Sequence, residues 1–195
     1  MATVTHPRAA PELMSVKEFL AFYDKRPAGE RWELLDGEAI MMTPPTKVHE
    51  RIGSNLAFAL NAHFLSSRPD LYAYQRSGLI VPDADRFVPE VDVSVEGAIA
   101  DYESYTDTFY FAAEVISDSN TARQINIKRK HSAAHQDNRY VLIIAQKKVS
   151  VELRAHASGW APVILTKLDE TLALPDFGFS MQLAALYAGT PLAKP

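Results

Sequence analysis

Residues 111–120 read FAAEVISDSN, and this stretch decides how the rest of the chain is interpreted. Apolar residues at 109–116 fall on both faces of an extended chain, which is typical of a strand at the centre of a sheet. Glu114 lies in the middle of this predicted strand. Because burying an unpaired carboxylate costs free energy, Glu114 is expected to have a cationic partner, a proton or a metal ion.

The preceding predicted strand, at 88–95, supplies a second carboxylate. Its alternation puts valines on one face and Glu90, Asp92 and Ser94 on the other. If the two strands pair, Asp92 and Glu114 can meet on one face of the sheet. Two facing carboxylates repel each other unless one is protonated or a cation lies between them, and carboxylate oxygens suit Mg²⁺ or Mn²⁺. As alternatives, Asp92 could face solvent, and Glu90 is a rival ligand.

A lysine on the helix that follows can reach Glu114. The strand continues past Glu114 for roughly 10 Å, at ~3.3 Å per residue. A helix that folds back along the sheet covers roughly 12 Å by Lys128, at ~1.5 Å per residue. Lys128 therefore returns to about the level of Glu114, with Gln124 one turn earlier on the same face. Without a metal ion, Glu114 could instead form a structural ion pair with Lys128 or Arg123.

The remaining patterns predict an α/β fold, in which helices flank a mixed central sheet and an N-terminal helix and β-hairpin come first. Ser15 begins a helix with a capping box, and 31–42 alternates around the turn signal Asp36-Gly37. Other strands are predicted at 71–81, 140–145, 149–154, 160–165 and 171–174, and other helices from Thr46, at about 120–136 and at 181–187.

Bulk composition favours one globular domain. The chain has 195 residues, of which 47% are hydrophobic, so a domain at 13–190 after a flexible tail at 1–12 is expected. It has no cysteine, which excludes disulfides and thiolate metal sites. We see no secretory signal and no apolar run that could span a membrane, and we expect a cytoplasmic protein.

Charge is unevenly distributed along the chain, although the net charge of −4 gives no obvious nucleic-acid footprint. Residues 89–120 include eight acids and no Lys or Arg, whereas 121–148 include seven bases and one acid. The acidic segment and the basic segment could build a cation site beside a phosphate-attracting surface. The alternative is ordinary surface charge.

Several stretches together resemble the Uma-two family, a branch of the PD-(D/E)XK nuclease superfamily. They are MSVKEFL (14–20), WELLDGEAIMM (32–42), PPTKVHERIGSNL (44–56), VDVSVE (91–96), FAAEVIS (111–117) and the lysine fourteen residues after Glu114. Each stretch alone is weakly specific for the family, but the order and spacing of all the stretches together are fairly specific. The resemblance covers about 14–153, most of the chain.

The resemblance implies a restriction-endonuclease-like fold, a divalent metal ion and phosphodiester hydrolysis. It makes Asp92 and Glu114 the motif acids and Lys128 the signature lysine. In the superfamily pattern this lysine lies two residues after the second acid, where this chain has Ile116, and the resemblance places it on the following helix instead. Members also have a histidine at the position of His49. Two departures are that Val91 replaces a proline, which contributes no ligand, and that Gln124 replaces a frequent aspartate, which removes a charge near the proposed metal.

The sequence therefore favours a Mg²⁺- or Mn²⁺-dependent endonuclease that acts on nucleic acid, with DNA as the expected substrate. Its catalytic residues would be Asp92, Glu114 and Lys128. The metal ligands would be the two carboxylates and the backbone carbonyl of Val115, and the auxiliary residues would be His49, Glu38 and Gln124. Phosphate contacts are expected from Arg123, Arg129 and Lys130, and a homodimer is possible.

Other readings remain open at this point. The chain could be a catalytically weak nuclease fold that binds nucleic acid or a protein, which Gln124 and the acidic character favour. It could also be a phosphohydrolase that acts on small phosphate esters. Glu33, beside the hairpin turn, is interpreted as surface charge. His131 and His135 have a spacing that could bind zinc, but a solvated or phosphate-facing pair is favoured.

Overall fold

The computed structural model describes residues 13–82, 84–99, 104–117 and 120–193, so the tail expected at 1–12 lies outside it. The helices are α1 Val16–Tyr23, α2 Lys47–Ser67, α3 Ala122–Ala134 and α4 Leu183–Leu186. The strands are β1 Trp32–Leu35, β2 Glu38–Met41, β3 Tyr72–Leu79, β4 Glu90–Glu96, β5 Tyr105–Thr106, β6 Phe111–Ile116, β7 Tyr140–Ala145, β8 Val151–Ala155, β9 Pro162–Leu165, β10 Thr171–Leu174 and β11 Phe179–Gln182.

A seven-stranded mixed sheet has the strand order β5-β3-β4-β6-β7-β8-β9 and confirms the predicted mixed α/β architecture. β6 lies between antiparallel β4 and parallel β7. The parallel β6–β7 pair needs a crossover, and α3 supplies it. Because helices lie on both faces of the sheet, β6 is buried along almost its whole length, as its apolar sequence predicted.

The two large helices cover opposite faces of β6. On α2, the apolar residues at i, i+4 spacing pack on the sheet: Ile52, Leu56, Leu60 and Phe64. They belong to one core cluster with Phe111, Ala113 and Val115, the alternate residues of β6. Ala112 belongs to a second cluster that includes Ile127 of α3. Because side chains alternate along a strand, Glu114 shares the face of Ala112, towards α3.

Local signals explain where the helices begin and how the first hairpin turns. Ser15 and Thr121 each form a capping box, at α1 and α3. Thr46 accepts a hydrogen bond at the start of α2. The β1–β2 turn places Asp36 and Gly37 at φ of 49° and 87°, the geometry that an Asp-Gly turn predicts.

The C-terminal region differs from its prediction. A helix was expected at 181–187, but β11 extends through Gln182 and α4 is one turn long. β11 pairs with β10 as a separate hairpin, and Leu172, Phe179 and Leu186 join the core cluster beneath α2. The amphipathic sequence suits either structure, and packing on the core selects the strand. Of the helices within the described ranges, none has the length and apolarity to cross a membrane.

Candidate active site

Asp92 and Glu114 lie where β4 separates from β6. The pairing of these strands runs from Val95 to Val93 and does not continue to Val91. Beyond Val93, the Asp92 side chain replaces the backbone pairing: its Oδ2 atom accepts a hydrogen bond of 2.7 Å from the backbone N–H of Val115. This bond fixes one carboxylate oxygen of Asp92 against the strand that holds Glu114.

The backbone opposite Asp92 is distorted. Arg76 lies between the paired residues Gln75 and Ser77 of β3 and has φ of 60°, in the left-handed region that non-glycine residues seldom adopt. Val91 packs in a different core cluster from Val93, so the predicted alternation of valines breaks at Asp92. Strained backbone of this kind is concentrated at functional sites, which makes this point of the sheet a candidate.

His49 approaches Asp92 from the first turn of α2. Its Nε2 atom lies 2.8 Å from Asp92 Oδ1. The cap residue Thr46 accepts a hydrogen bond from the backbone N–H of His49, which sets the start of the helix and therefore the position of this imidazole. Asp92 thus accepts a hydrogen bond at Oδ2 from Val115 and has the His49 imidazole beside Oδ1.

Lys128 lies within bonding distance of Glu114, as the strand and helix lengths predicted. The distance from Lys128 Nζ to Glu114 Oε2 is 3.0 Å. Both side chains are buried, with exposed fractions of 6% and 11%. A second carboxylate, Glu33 of β1, places its Oε2 atom 2.7 Å from the same ammonium.

The interpretation of Glu33 as surface charge is wrong, because the residue is only 4% exposed. In β1 it shares a face with Leu35, which packs in the cluster of Ile127, while Leu34 packs against Phe19 on the other side. One feature of the sequence could have predicted this burial: Glu33 lies in a predicted strand that has large apolar residues on both of its faces. Which helix would cover that strand was not available from the sequence.

These side chains line one cavity of about 300 Å³. Its walls come from β1–β2, the segment 42–46, β4, β6 and the first turns of α2 and α3: among others Glu33, His49, Asp92, Glu114, Val115, Asn120, Gln124 and Lys128. A larger cavity of about 500 Å³ lies at the β5 edge beside Tyr74 and Tyr105. Glu33, Glu114 and Lys128 line the smaller cavity and not the larger one, so the smaller cavity is the candidate active site.

Electrostatics in the cavity favour an added cation. The pKa of Glu114 is raised to about 8, because burial and the repulsion by Asp92 and Glu33 together outweigh the opposing attraction of Lys128. Burial also raises the pKa of Asp92, while His49 opposes that shift. The pKa of Lys128 lies above its usual value because the attraction of Glu114 and Glu33 outweighs burial. If all three carboxylates are ionised, one ammonium does not balance them, and either a proton on Glu114 or an added cation would compensate the excess negative charge.

The donor set fits a hard divalent ion. Oε1 of Glu114 is buried and accepts no hydrogen bond from any residue that the structure describes. An orphaned buried carboxylate oxygen is costly unless a cation or proton occupies its free side. Within the described ranges, no three His, Asp or Glu side chains form a metal-binding group. The side chains would therefore supply two metal ligands, the carboxylates of Asp92 and Glu114. Val115, whose backbone carbonyl is the third predicted ligand, lines the same cavity.

Two of the predicted auxiliary residues lie at the edge of the site. Gln124 lines the cavity, but its Oε1 atom accepts a hydrogen bond from the Thr121 N–H in the α3 capping box. Glu38 pairs with Arg123 at 3.2 Å, and the Arg123 side chain is 61% exposed. Arg123 is thus exposed enough to contact a ligand, whereas the Gln124 side chain is used in helix capping.

Other predicted residues are not brought to the cavity. Arg129 is tied to Glu152 of β8 at 2.5 Å, which disfavours a phosphate contact, while Lys130 is exposed on α3. Glu90, the rival ligand, pairs with Arg31.

The two helix histidines have no role at the site. The ring of His131 stacks on Phe87, and its Nε2 atom lies 3.1 Å from Asp36. His135 is buried and bonds to the backbone carbonyl of Asp107. The interpretation of these histidines as a solvated or phosphate-facing pair is therefore wrong.

Comparisons with known proteins identify the family and the fold of the chain. A family model described as "Uma2: Putative restriction endonuclease" matches residues 16–185. Among solved structures, the chain is similar to one described as a "putative nuclease belonging to DUF820" from Anabaena variabilis ATCC 29413, at 16% identity. The match has a TM-score of 0.74 and covers 90% of this chain and 98% of that chain. The two share a fold, which confirms the nuclease-like architecture. No curated protein matches.

Proposed function

Because this chain belongs to the Uma2 family of putative restriction endonucleases, we propose that it is a divalent-metal-dependent endonuclease that hydrolyses phosphodiester bonds in DNA. The observation that supports this most is the buried Oε1 atom of Glu114, which has no described partner and lines a cavity with Asp92 and Lys128. A carboxylate oxygen in that state is suited to a metal ion.

Asp92, Glu114 and the backbone carbonyl of Val115 would hold Mg²⁺ or Mn²⁺. A bound divalent ion lowers the pKa of a water molecule and neutralises charge on a phosphoryl oxygen. Lys128 would donate hydrogen bonds that orient the attacking water and stabilise negative charge as it develops. His49 would keep the Asp92 carboxylate aligned, because it contacts the oxygen that does not bond to Val115.

The nucleic-acid backbone would approach along the exposed side of α3. Arg123 and Lys130 are exposed there and can contact phosphate groups without breaking a buried pair. Because such contacts release counterions, affinity would fall steeply with salt, by about 0.9 in log K per contact for each unit of log salt concentration. Binding in this mode does not require a basic protein overall.

Calorimetric titration with Mn²⁺ tests the metal site, and a nuclease assay on the same samples tests the activity. We expect the wild type to bind Mn²⁺ and cleave DNA, and Asp92→Ala to do neither while keeping its far-ultraviolet circular dichroism. A wild type that binds no Mn²⁺ would contradict the proposal. The assay should include single-stranded DNA, duplex DNA and RNA, because the substrate is part of the proposal.

A second candidate is a binding module with the same fold and without catalysis. It is favoured by the way that Glu33 and Glu114 already neutralise Lys128, and by the use of Gln124 in a helix cap. A structural ion cluster would have this appearance too. Nucleic-acid binding that is unaffected by Mn²⁺, together with no cleavage, would favour the module over the nuclease.

A further inference from the structure

We propose that Glu33 is a positioning residue: it would hold the Lys128 ammonium in the cavity when a metal ion is bound at the free Oε1 atom of Glu114. The inference rests on the proposed nuclease function and deepens it. It gives the N-terminal hairpin a direct part in the active site. Glu33 would contact neither the metal ion nor the substrate, and would act only through Lys128.

The geometry of the ammonium supports a shared anchor. Lys128 Nζ lies 2.7 Å from Glu33 Oε2 and 3.0 Å from Glu114 Oε2, so Glu33 is the nearer of the two carboxylates. The Glu33 and Lys128 side chains are 5% and 6% exposed, which leaves little room for the ammonium to be hydrated instead. A buried ammonium needs an anionic partner at all times.

A metal ion at Oε1 of Glu114 and the Lys128 ammonium at Oε2 would share one carboxylate. Both are cations, and an ion bound by Glu114 would repel an ammonium that had no other partner. Lysine has a flexible four-carbon stem, so an unanchored Lys128 would move away from the reacting phosphate. Glu33 prevents this because it attracts Lys128 from the side of β1, a strand that does not carry either of the proposed metal-binding carboxylates.

β1 holds the Glu33 carboxylate in a fixed position. Leu34 is fully buried against Phe19, and its backbone exchanges hydrogen bonds of 2.8 and 2.9 Å with Val88. The residue that follows Glu33 is therefore tied to both α1 and the segment before β4. Functional groups on rigid elements hold their geometry better than groups on loops.

Two other roles for Glu33 are physically possible, and they make different predictions. As a third metal ligand, Glu33 would be needed for Mn²⁺ affinity whether or not Lys128 is present. As a purely structural acid, its replacement would change stability and leave turnover alone. A positioning residue affects turnover through Lys128 and affects metal affinity only through charge.

The experiment compares the wild type, Glu33→Gln, Lys128→Met and the double variant in DNA cleavage and in Mn²⁺ titration. We expect each single variant to lose about 100-fold or more in kcat, as for removal of one transition-state donor. KM should stay within about threefold, and the double variant should be no worse than the poorer single variant, because the residues act as a unit. The Mn²⁺ Kd of the double variant should stay within about threefold of the wild type, since the loss of one negative and one positive charge leaves the net charge of the site unchanged.

Several results would overturn the inference. Unchanged kcat in Glu33→Gln, with a wild type that binds Mn²⁺ and cuts, would refute the role of Glu33 and leave the nuclease proposal standing. A double variant that binds Mn²⁺ more than about tenfold more weakly than the wild type would make Glu33 a metal ligand. A wild type without Mn²⁺ binding and cleavage would refute the nuclease proposal itself, and this inference with it.

Matched controls separate positioning from stability. Glu96→Gln neutralises a half-buried carboxylate at the other end of β4, outside the cavity, and should keep wild-type kcat. If Glu33→Gln fails to fold because Lys128 is left with less compensation, the double variant removes both charges, and its Mn²⁺ Kd still decides between positioning and ligation. Circular dichroism of each sample checks the fold.

Discussion

Replacing Lys128 with methionine should destabilise the metal-free protein. Methionine keeps most of the side-chain volume and removes the one ammonium that lies within 3.0 Å of both Glu33 and Glu114. Breaking a buried ion pair from one side costs about 3–5 kcal/mol, because the remaining charge has no compensation. The lower end applies here, since the raised pKa of Glu114 lets it take up a proton instead.

This loss can be measured by thermal unfolding. For a domain of this size, each kcal/mol lowers Tm by about 2–4 °C, so a decrease of about 6–12 °C is expected in the absence of metal. Mn²⁺ should recover part of it, because the ion replaces the missing positive charge. At 100 times Kd, a bound ligand stabilises the folded state by about 2.7 kcal/mol.

The matched control is Lys130→Met, two residues further along the same helix and exposed. Surface substitutions of this kind change stability by about 0.5 kcal/mol or less. A Tm for Lys128→Met within about 2 °C of the wild type would refute the reasoning. It would mean that Lys128 does not compensate the two carboxylates, and that the cluster is hydrated or already protonated.

Three further predictions concern the site, the core and the β5 edge. Asp92→Asn keeps an oxygen that can accept from the Val115 N–H but removes one of two carboxylates, so Mn²⁺ Kd should weaken at least about tenfold by calorimetry; an unchanged Kd would contradict its role as a ligand. Phe177→Ala should cost about 3–5 kcal/mol in urea unfolding, because this buried ring contacts three other aromatic rings; a loss below about 1 kcal/mol would contradict it. Gly78→Ala would place a Cβ atom 2.4 Å from the Tyr105 ring and should cost about 1–3 kcal/mol, which Tyr105→Ala in the same chain should recover; equal Tm for Gly78→Ala and the wild type would argue against this contact.

The chemistry of the candidate site was largely readable from local patterns. Glu114 is unusual in its strand wherever that strand lies, because side chains alternate with a period of two and its neighbours are apolar on both faces. The placement of Lys128 followed from the rise per residue of a strand and a helix, which are properties of the backbone. The 3.0 Å contact between these residues agrees with that arithmetic.

The partners of Glu114 and Asp92 across the chain were not readable in this way. Glu33 is 95 residues before Lys128, and no periodic pattern joins them. The same holds for His49 and Asp92, which meet only because α2 begins at the end of the sheet where β4 leaves β6. Burial of a charged side chain depends on what packs over it, and that is a property of the assembled layers.

The sequence by itself therefore determined most of the elements, the mixed α/β class and the contact of Glu114 with Lys128, because these depend on spacing within one or two neighbouring elements. Only the tertiary structure decided which carboxylate shares the ammonium, which arginine stays exposed and which side chains are used in helix capping. Those outcomes depend on distances between residues far apart in the chain. A one-dimensional pattern does not contain such distances until the layers have packed.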